Sequence, residues 1–463
     1  MSSAGRRRRS ASTIAPSPTS SSSSSGAKGQ RASRLPLWKF SQALGGEPPP
    51  AAGGQQHDGA LHDDADEISA IEFDARGEHL AAGDHAGRLV LFRRTDGDDV
   101  GTRPRVELER ADHAGAPPPR YRYATEFQSH EQEFDVLHSL EIGEKIKKLR
   151  WCARPNRSTV CMLAANDRTV KLWKVSEHKA RKGKDQRQQS TDGAGDGYSA
   201  KCRRVFARAH QYNIHSISTN CDGETFVSAD DLRINLWHID VTTQCFGIVD
   251  TKPADMEDLV EVITTAEFHP SSCSLLAYGS SRGLLRLVDL RRSALCDHSV
   301  RIFQDRENRA QPRTFFTEIV SCITDLKFTG DGKFLLTRDY LNLKLWDLRV
   351  ESSPVATYKV HEFLRPKLSE LYTDDYIFDR FNCCASKDGS YFATGSYRFF
   401  PVLPHIRAEL HSKPARTLTG YNHILLQRAH GCSTVLLAES KEKVWIVRDH
   451  TAGRKLLATW QQR

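Results

Sequence analysis

Long apolar runs are missing from this 463-residue chain; nothing in it approaches the roughly 18 consecutive apolar residues of a membrane-spanning helix. The N-terminus lacks even a short one. It opens on Arg6 to Arg9 and runs into serines from Ser20 to Ser25, without the apolar core of a secretory signal. A soluble intracellular protein is expected, cytoplasmic and also nuclear. Paired metal-ligand spacing is absent among the eleven cysteines, which are expected to be reduced and mostly buried thiols. Nucleophile elbows, phosphate-cradling glycine loops and paired-His metal motifs are lacking as well. The expectation is a binding protein without catalytic residues, cofactor or metal.

Charge of one sign is scarce once the total is divided. The net charge is +8, but residues 1 to 34 hold seven Lys or Arg and no acid, and residues 174 to 208 hold ten against four acids, so the rest carries a net −5. The folded body is therefore acidic. A basic Ser-rich tail over 1–35 is expected to be a disordered arm or nuclear-import signal rather than a nucleic-acid site.

What the chain does contain is a recurring strand pattern. An apolar pair leads through a polar turn to a small-residue strand, another turn, and a strand ending in an aromatic or aliphatic residue. Copies run from Ile71 to Phe92, Ile146 to Trp173, Ile214 to Trp237, Ile263 to Leu290 and Ile323 to Asp347, and a sixth begins at Phe381. The period-two alternation between Gly, Asp and Asn turns is that of antiparallel strands. Leu172–Trp173, Leu236–Trp237 and Leu345–Trp346–Asp347 match the end of the third strand of a WD-type blade. Small sheets of this kind stack radially, so an all-β, WD-repeat β-propeller is expected over 36–397. Loop insertions are expected near 94–130, where Pro117 to Pro119 interrupt regular structure, and at 176–204, a polar low-complexity stretch. Short helices are expected at Ala254 to Leu259 and Glu362 to Leu371. Cys383 and Cys384 face opposite ways on a strand and are expected in the core, while His210 and His269 fall at blade edges and are expected in structural hydrogen bonds.

Longer strings go beyond a generic repeat. EFQSHEQEFDVLHSLEIGEKIKKLRW (Glu126 to Trp151), SADDLRINLWHID (Ser228 to Asp240), ADMEDLVEVITTAEFHP (Ala254 to Pro270), ALCDHS (Ala294 to Ser299), TRDYLNLKLWDL (Thr337 to Leu348) and VHEFLRPKLSELYTDDYIFDRFNCC (Val360 to Cys384) closely resemble the B-type regulatory subunits of protein phosphatase 2A, the WD-repeat family. The resemblance begins near Leu37 and implies a seven-bladed propeller. It also implies two partners, a helical-repeat scaffold subunit and a metal-dependent catalytic subunit, and an acidic groove that takes basic and apolar segments of phosphoprotein substrates. The positions matching that groove are Tyr212, Asp231, Leu259, Val262, Phe315, Phe316, Asp375 and Phe378, with Asp64 and Lys145.

Charge alone agrees in sign, because Asp230, Asp231, Asp374 and Asp375 would attract cationic segments. An Asp six positions before the blade Trp also braces a turn. That is the expected role of Asp167, and for Asp231 it stands beside recognition. Phe315 and Phe316 follow a polar run that suggests a loop. The family's clasping hairpin between the second and third blades has no apolar strand pair here, and Asn213 and His215 replace different polar residues. After Tyr397 the seventh-blade motifs are absent, so 398–463 is expected to be divergent, with the last blade incomplete and the ring not closed normally. A generic WD-repeat scaffold or adaptor for another complex is the competing reading, and a nucleic-acid binder resting on the tail a weaker one.

Overall fold

The computed structural model describes residues 38–44, 67–95, 120–152, 159–178, 197–241, 244–292, 300–305, 314–386, 389, 391–397, 402–404, 421–429, 432–439 and 444–449. The chain divides into units Met1–Leu35 and Pro36–Arg463. The first, where the basic tail is expected, lies outside the described residues, as do 398–401, Pro117 to Pro119 and Asp64. Among the described residues no helix is long and apolar enough to cross a membrane.

Seven sheets follow one another as blades among the described residues. Blade 1 is built from Ile68–Phe73, His79–Asp84, Arg88–Thr95 and Arg120–Gln128; blade 2 from Lys148–Trp151, Thr159–Ala165, Val170–Glu177 and Tyr198–Phe206. Blade 3 comprises Ser216–Thr219, Thr225–Ala229, Arg233–His238 and Cys245–Asp250; blade 4 comprises Ile263–Phe268, Leu275–Ser280, Leu285–Asp289 and Arg301–Phe303. Asp325–Phe328, Phe334–Arg338, Asn342–Asp347 and Ala356–Lys359 make blade 5. Blade 6 has three strands, Cys383–Ala385, Tyr391–Thr394 and Val402–Pro404. Each innermost strand neighbours the innermost strand of the next blade, which is the radial stacking that hides faces a lone sheet would expose.

The C-terminal expectation is corrected. Tyr421–Ala429, Cys432–Glu439 and Val444–Asp449 are strands, and Trp38–Leu44 pairs antiparallel with the last of them to complete blade 7. Its innermost strand lies beside those of blades 6 and 1, so the ring closes. Backbone pairing needs partners rather than a turn-and-aromatic motif, and the N-terminal strand supplies the missing edge partner. Among the described residues, the blade short of a strand is blade 6.

Two insertions are also shorter than expected. Arg120–Gln128 (RYRYATEFQ) is the outer strand of blade 1, and Tyr198–Phe206 (YSAKCRRVF) pairs with Val170–Glu177 as the outer strand of blade 2. Arg122, Lys201 and Arg203 are exposed while Tyr121, Thr125 and Phe206 are buried, and so mixed a pattern leaves little apolar signal.

Aromatic packing joins the blades. Trp237 is 1% exposed, its ring centroid 5.3 Å from Phe206 and 6.0 Å from Phe226. Around the axis, Glu72 pairs with Arg150 at 3.0 Å and Lys327 with Glu267 at 2.6 Å, linking blades 1 to 2 and 4 to 5.

Turn chemistry corrects the expected bracing residues. In blade 3 the brace is Asp230, whose Oδ1 accepts from the amides of Leu232 (2.9 Å) and Arg233 (2.7 Å). Its Oδ2 lies 2.8 Å from His210 Nδ1, and the Ser228 hydroxyl lies 2.6 Å from His210 Nε2 and accepts from Trp237 Nε1 at 2.7 Å. Asp339 does the same in blade 5 for Leu341 and Asn342. In blade 2, Asn166 accepts from Arg168 and Thr169, while Asp167 pairs with Lys147 at 3.1 Å. The acceptor must precede the donated amides by two and three residues, so the position six before Trp falls one residue late. One thiol expectation also fails: Cys221 and Cys273 are joined in a disulfide.

Candidate functional site

The described connections between successive blades gather at the same end of the ring as the braced turns. Asp231 sits there in the second turn of blade 3, half-buried, and its carbonyl accepts from Ile263 N at 2.7 Å. Because Asp230 takes the bracing role, the Asp231 carboxylate is not the acceptor for the turn amides. Burial raises its pKa, and the nearby Arg380 guanidinium opposes that rise. Asp230 is fully buried and drops out of the expected acidic cluster.

Between blades 3 and 4, Asp255 accepts from Glu257 N at 3.0 Å and caps a 3-10 turn, Met256–Asp258, which ends the run into Leu259. Leu259 and Val262 are half-buried, Val260 between them is 69% exposed, and Asp255, Glu257 and Asp258 are exposed. Val262 N is fixed by Ser281 Oγ at 3.0 Å. Tyr212 is half-buried in the preceding connection, two residues beyond the His210 ring that Asp230 anchors. Lys145 stands apart, between blades 1 and 2, its pKa lowered by burial and by Lys147.

Phe315 and Phe316 do not lie in a loop. They open α1, Phe315–Ser321, because Thr314 and Thr317 form a reciprocal capping box over the first turn. Seven residues are too few for helical periodicity to be read. Phe316 and Ile319 pack on buried Val320, Tyr340, Leu364, Leu368 and Ile377, which leaves Phe315 59% exposed. Across from it the connection between blades 5 and 6 forms a 3-10 turn, Glu362–Lys367, then α2, Leu368–Thr373, then the 3-10 turn Tyr376–Phe378. Asp375 holds a left-handed φ of 61° at that last turn, which turns Tyr376 and Phe378 outward, each 54% exposed.

These two insertions build an aromatic platform. The Tyr372 ring lies 5.2 Å from Phe315, 6.1 Å from Phe316 and 5.8 Å from Phe378. The segments that carry these rings also carry exposed Glu318, Glu370, Asp374, Asp375 and Asp379. Of the expected positions, Phe315, Phe316, Asp375 and Phe378 come together here, and Arg380, two residues on, reaches the field of Asp231. Sequence reading missed Tyr372, the ring that joins the others, and Arg380, a cation within an otherwise acidic rim. Only their place inside the string Val360 to Cys384 marked them.

Oriented apolar faces with carboxylates around them can hold an extended segment carrying Lys or Arg beside apolar side chains, but they supply no nucleophile. A second apolar feature rises from the same end: the hairpin Glu133–Asp135 and Leu140–Ile142 exposes Phe134, Val136 and Leu137. Asp135 pins its turn by accepting from Leu137 and His138 amides. Among the described residues, the grouping with metal-ligand chemistry is Asp74, Glu78 and His79. There the Asp74 carboxylate already accepts from Glu78 N at 2.8 Å as a turn brace.

A family model for the WD domain, G-beta repeat, matches residues 200–238. The chain is 48% identical over 411 residues to a serine/threonine protein phosphatase 2A 55 kDa regulatory subunit, the B alpha isoform of Oryza sativa, covering 78% of this chain and 68% of that protein. It is 46% identical over 429 residues to the Arabidopsis thaliana B alpha isoform, covering 80% and 81%. A phosphatase 2A regulatory subunit of Dictyostelium discoideum is 40% identical over 415 residues, covering 78% and 80%.

Proposed function

The chain belongs to the B-type, 55 kDa regulatory subunit family of serine/threonine protein phosphatase 2A, and from that membership we propose that its aromatic and acidic end selects phosphoprotein substrates for a bound catalytic subunit. It is a regulatory, non-catalytic WD-repeat protein. The partners of this reading are a helical-repeat scaffold subunit and the metal-dependent catalytic subunit, and the place is the cytoplasm and the nucleus. Substrates are phosphoproteins with a basic and apolar segment near the phosphosite.

One observation carries the reading: Phe315, Tyr372, Tyr376 and Phe378 are exposed together within a rim of carboxylates. Exposed aromatics in contact with one another cost solvation, and a partner's apolar side chains relieve it. The carboxylates add attraction for Lys and Arg that weakens as salt rises. A generic adaptor would account for the acidic rim but not for the family strings.

Phe378→Ala is expected to weaken capture of a basic phosphopeptide roughly tenfold, about 1.4 kcal/mol, as for an aromatic anchor. Asp231→Lys and Asp375→Lys are expected to weaken capture most at low salt and to leave scaffold binding unchanged. Fluorescence anisotropy at two salt concentrations, with melting temperatures alongside, measures both. Equal loss of scaffold binding with a lowered melting temperature would assign these residues to the fold instead.

A further inference from the structure

At the end of the ring opposite the recognition surface, the turns joining the first and second strands of blades 3 and 4 lie side by side. Each is held rigid by its own hydrogen bonds. In blade 3, Asn220 Oδ1 accepts from Gly223 N at 3.0 Å and Thr225 N at 3.2 Å, and Gly223 takes a φ of 76° that favours glycine. In blade 4, His269 Nδ1 accepts from the amides of Ser271 (3.2 Å) and Ser272 (3.0 Å). That fixes the ring proton on Nε2, which donates to Gly332 O at 2.8 Å in the matching turn of blade 5.

These two turns carry Cys221 and Cys273 with their Cα atoms 5.1 Å apart and their sulfurs bonded. The separation lies within the range a disulfide spans without moving backbone. Among the described cysteines, the exposure of Cys221 sets this pair apart, since Cys273 is half-buried as Cys152, Cys161, Cys202, Cys245 and Cys322 are. Cys221 is exposed and Cys273 half-buried, whereas Cys383 is buried with its thiol pushed far up, and burial raises Cys152 and Cys161 as well. A sulfur that small thiols and disulfides can reach, beside a second sulfur held at bonding distance, has the arrangement of an exchangeable pair.

We propose that Cys221 and Cys273 form a reversible thiol–disulfide site that clasps blade 3 to blade 4, set by small-molecule disulfides of the glutathione class. To close it, the Cys221 thiolate attacks one sulfur of the small disulfide, releasing one small thiol and leaving a mixed disulfide. The Cys273 thiolate then displaces the second small thiol. The protein gives up two electrons and two protons, and the small disulfide leaves as two thiols. In a reducing compartment the clasp rests open and closes on oxidation. The joint it closes is the one that carries Asp231 and residues 259–262 at the other end, where the Ile263 amide donates to Asp231 O. The clasp is independent of the phosphatase reading.

Peptide mapping by mass spectrometry of the native full-length chain, after oxidised glutathione or dithiothreitol, tests it. Oxidised glutathione is expected to give one linked peptide pair containing Cys221 and Cys273 and a chain two hydrogens lighter, reversed by dithiothreitol without unfolding. Reductant should lower the melting temperature of the natural chain by several degrees and leave C221S and C273S unmoved. Separate glutathione adducts without a link, a link that reductant opens only after denaturation, or equal responses in the serine variants would overturn the proposal.

Discussion

Replacing Arg338 with Ala is expected to destabilise the protein by about 3–5 kcal/mol, the cost of stripping one member from a buried charged network. Arg338 is fully buried. Its Nη1 donates to the carbonyls of Asp339 (2.5 Å) and Asn342 (3.0 Å), its Nη2 lies 3.2 Å from His361 Nδ1, and the guanidinium stacks 5.5 Å from the Phe381 ring centre. Burial pushes its pKa down to about 10, so the charge is retained at neutral pH only because carbonyls, the Asp339 carboxylate and a ring face stand in for water. Ala removes the donor from the Asp339 carbonyl, leaves Asn342 O with Asp339 N alone, and opens a cavity next to Tyr340 and Phe381. Arg338→Lys keeps the charge but loses the planar fork and is expected to fall between the two. The effect reaches the recognition end, because His361 and Phe381 bracket the insertion that presents Asp375 and Phe378. Urea unfolding should show a lowered midpoint with an unchanged slope, accompanied by weaker substrate capture.

Acid should be the second large destabiliser. His361 and His130 are buried, and burial brings each ring down to about 3, with Arg338 and Lys171 respectively pushing further. In the unfolded chain both titrate near 6.5. Below that value the unfolded state takes up protons that the folded state refuses, so stability is full above about pH 6.5 and falls as pH drops toward about 3. At pH 5 the loss is about 2 kcal/mol for each ring. His215, lowered to about 4 mainly by burial, acts in the same direction. Thermal melts between pH 7.5 and 5 should show the decline, and His361→Asn or His130→Gln should flatten it. A melting temperature constant over that interval would contradict the buried neutral rings.

Much of the ring was legible in the sequence because each blade repeats the same physical problem. Alternation sets the strands, and the pairs ending in Trp173, Trp237 and Trp346 mark where one sheet packs on the next. Outer strands were harder. Tyr198–Phe206 and Arg120–Gln128 hold few buried residues among exposed Arg and Lys, so their composition reads as loop. The bracing residues were misplaced by one position, since spacing from Trp does not reveal which side chain can reach the turn amides, and the hydrogen bonds to Asp230 and Asn166 do. The site was legible in pieces. Resemblance pointed to Phe315, Phe316, Asp375 and Phe378, but their meeting around Tyr372 is a product of two insertions 50 or so residues apart in sequence. The closing of blade 7 by Trp38–Leu44 is longer-range still, and no local pattern announces it.

Assembly tests the central claim most directly. Full-length chain, mixed with purified phosphatase 2A scaffold and catalytic subunits and weighed by native mass spectrometry, is predicted to enter a complex with one copy of each, while the chain alone shows no phosphatase activity. Recovery of the scaffold–catalytic pair with this chain left unbound would contradict its role as a working regulatory subunit.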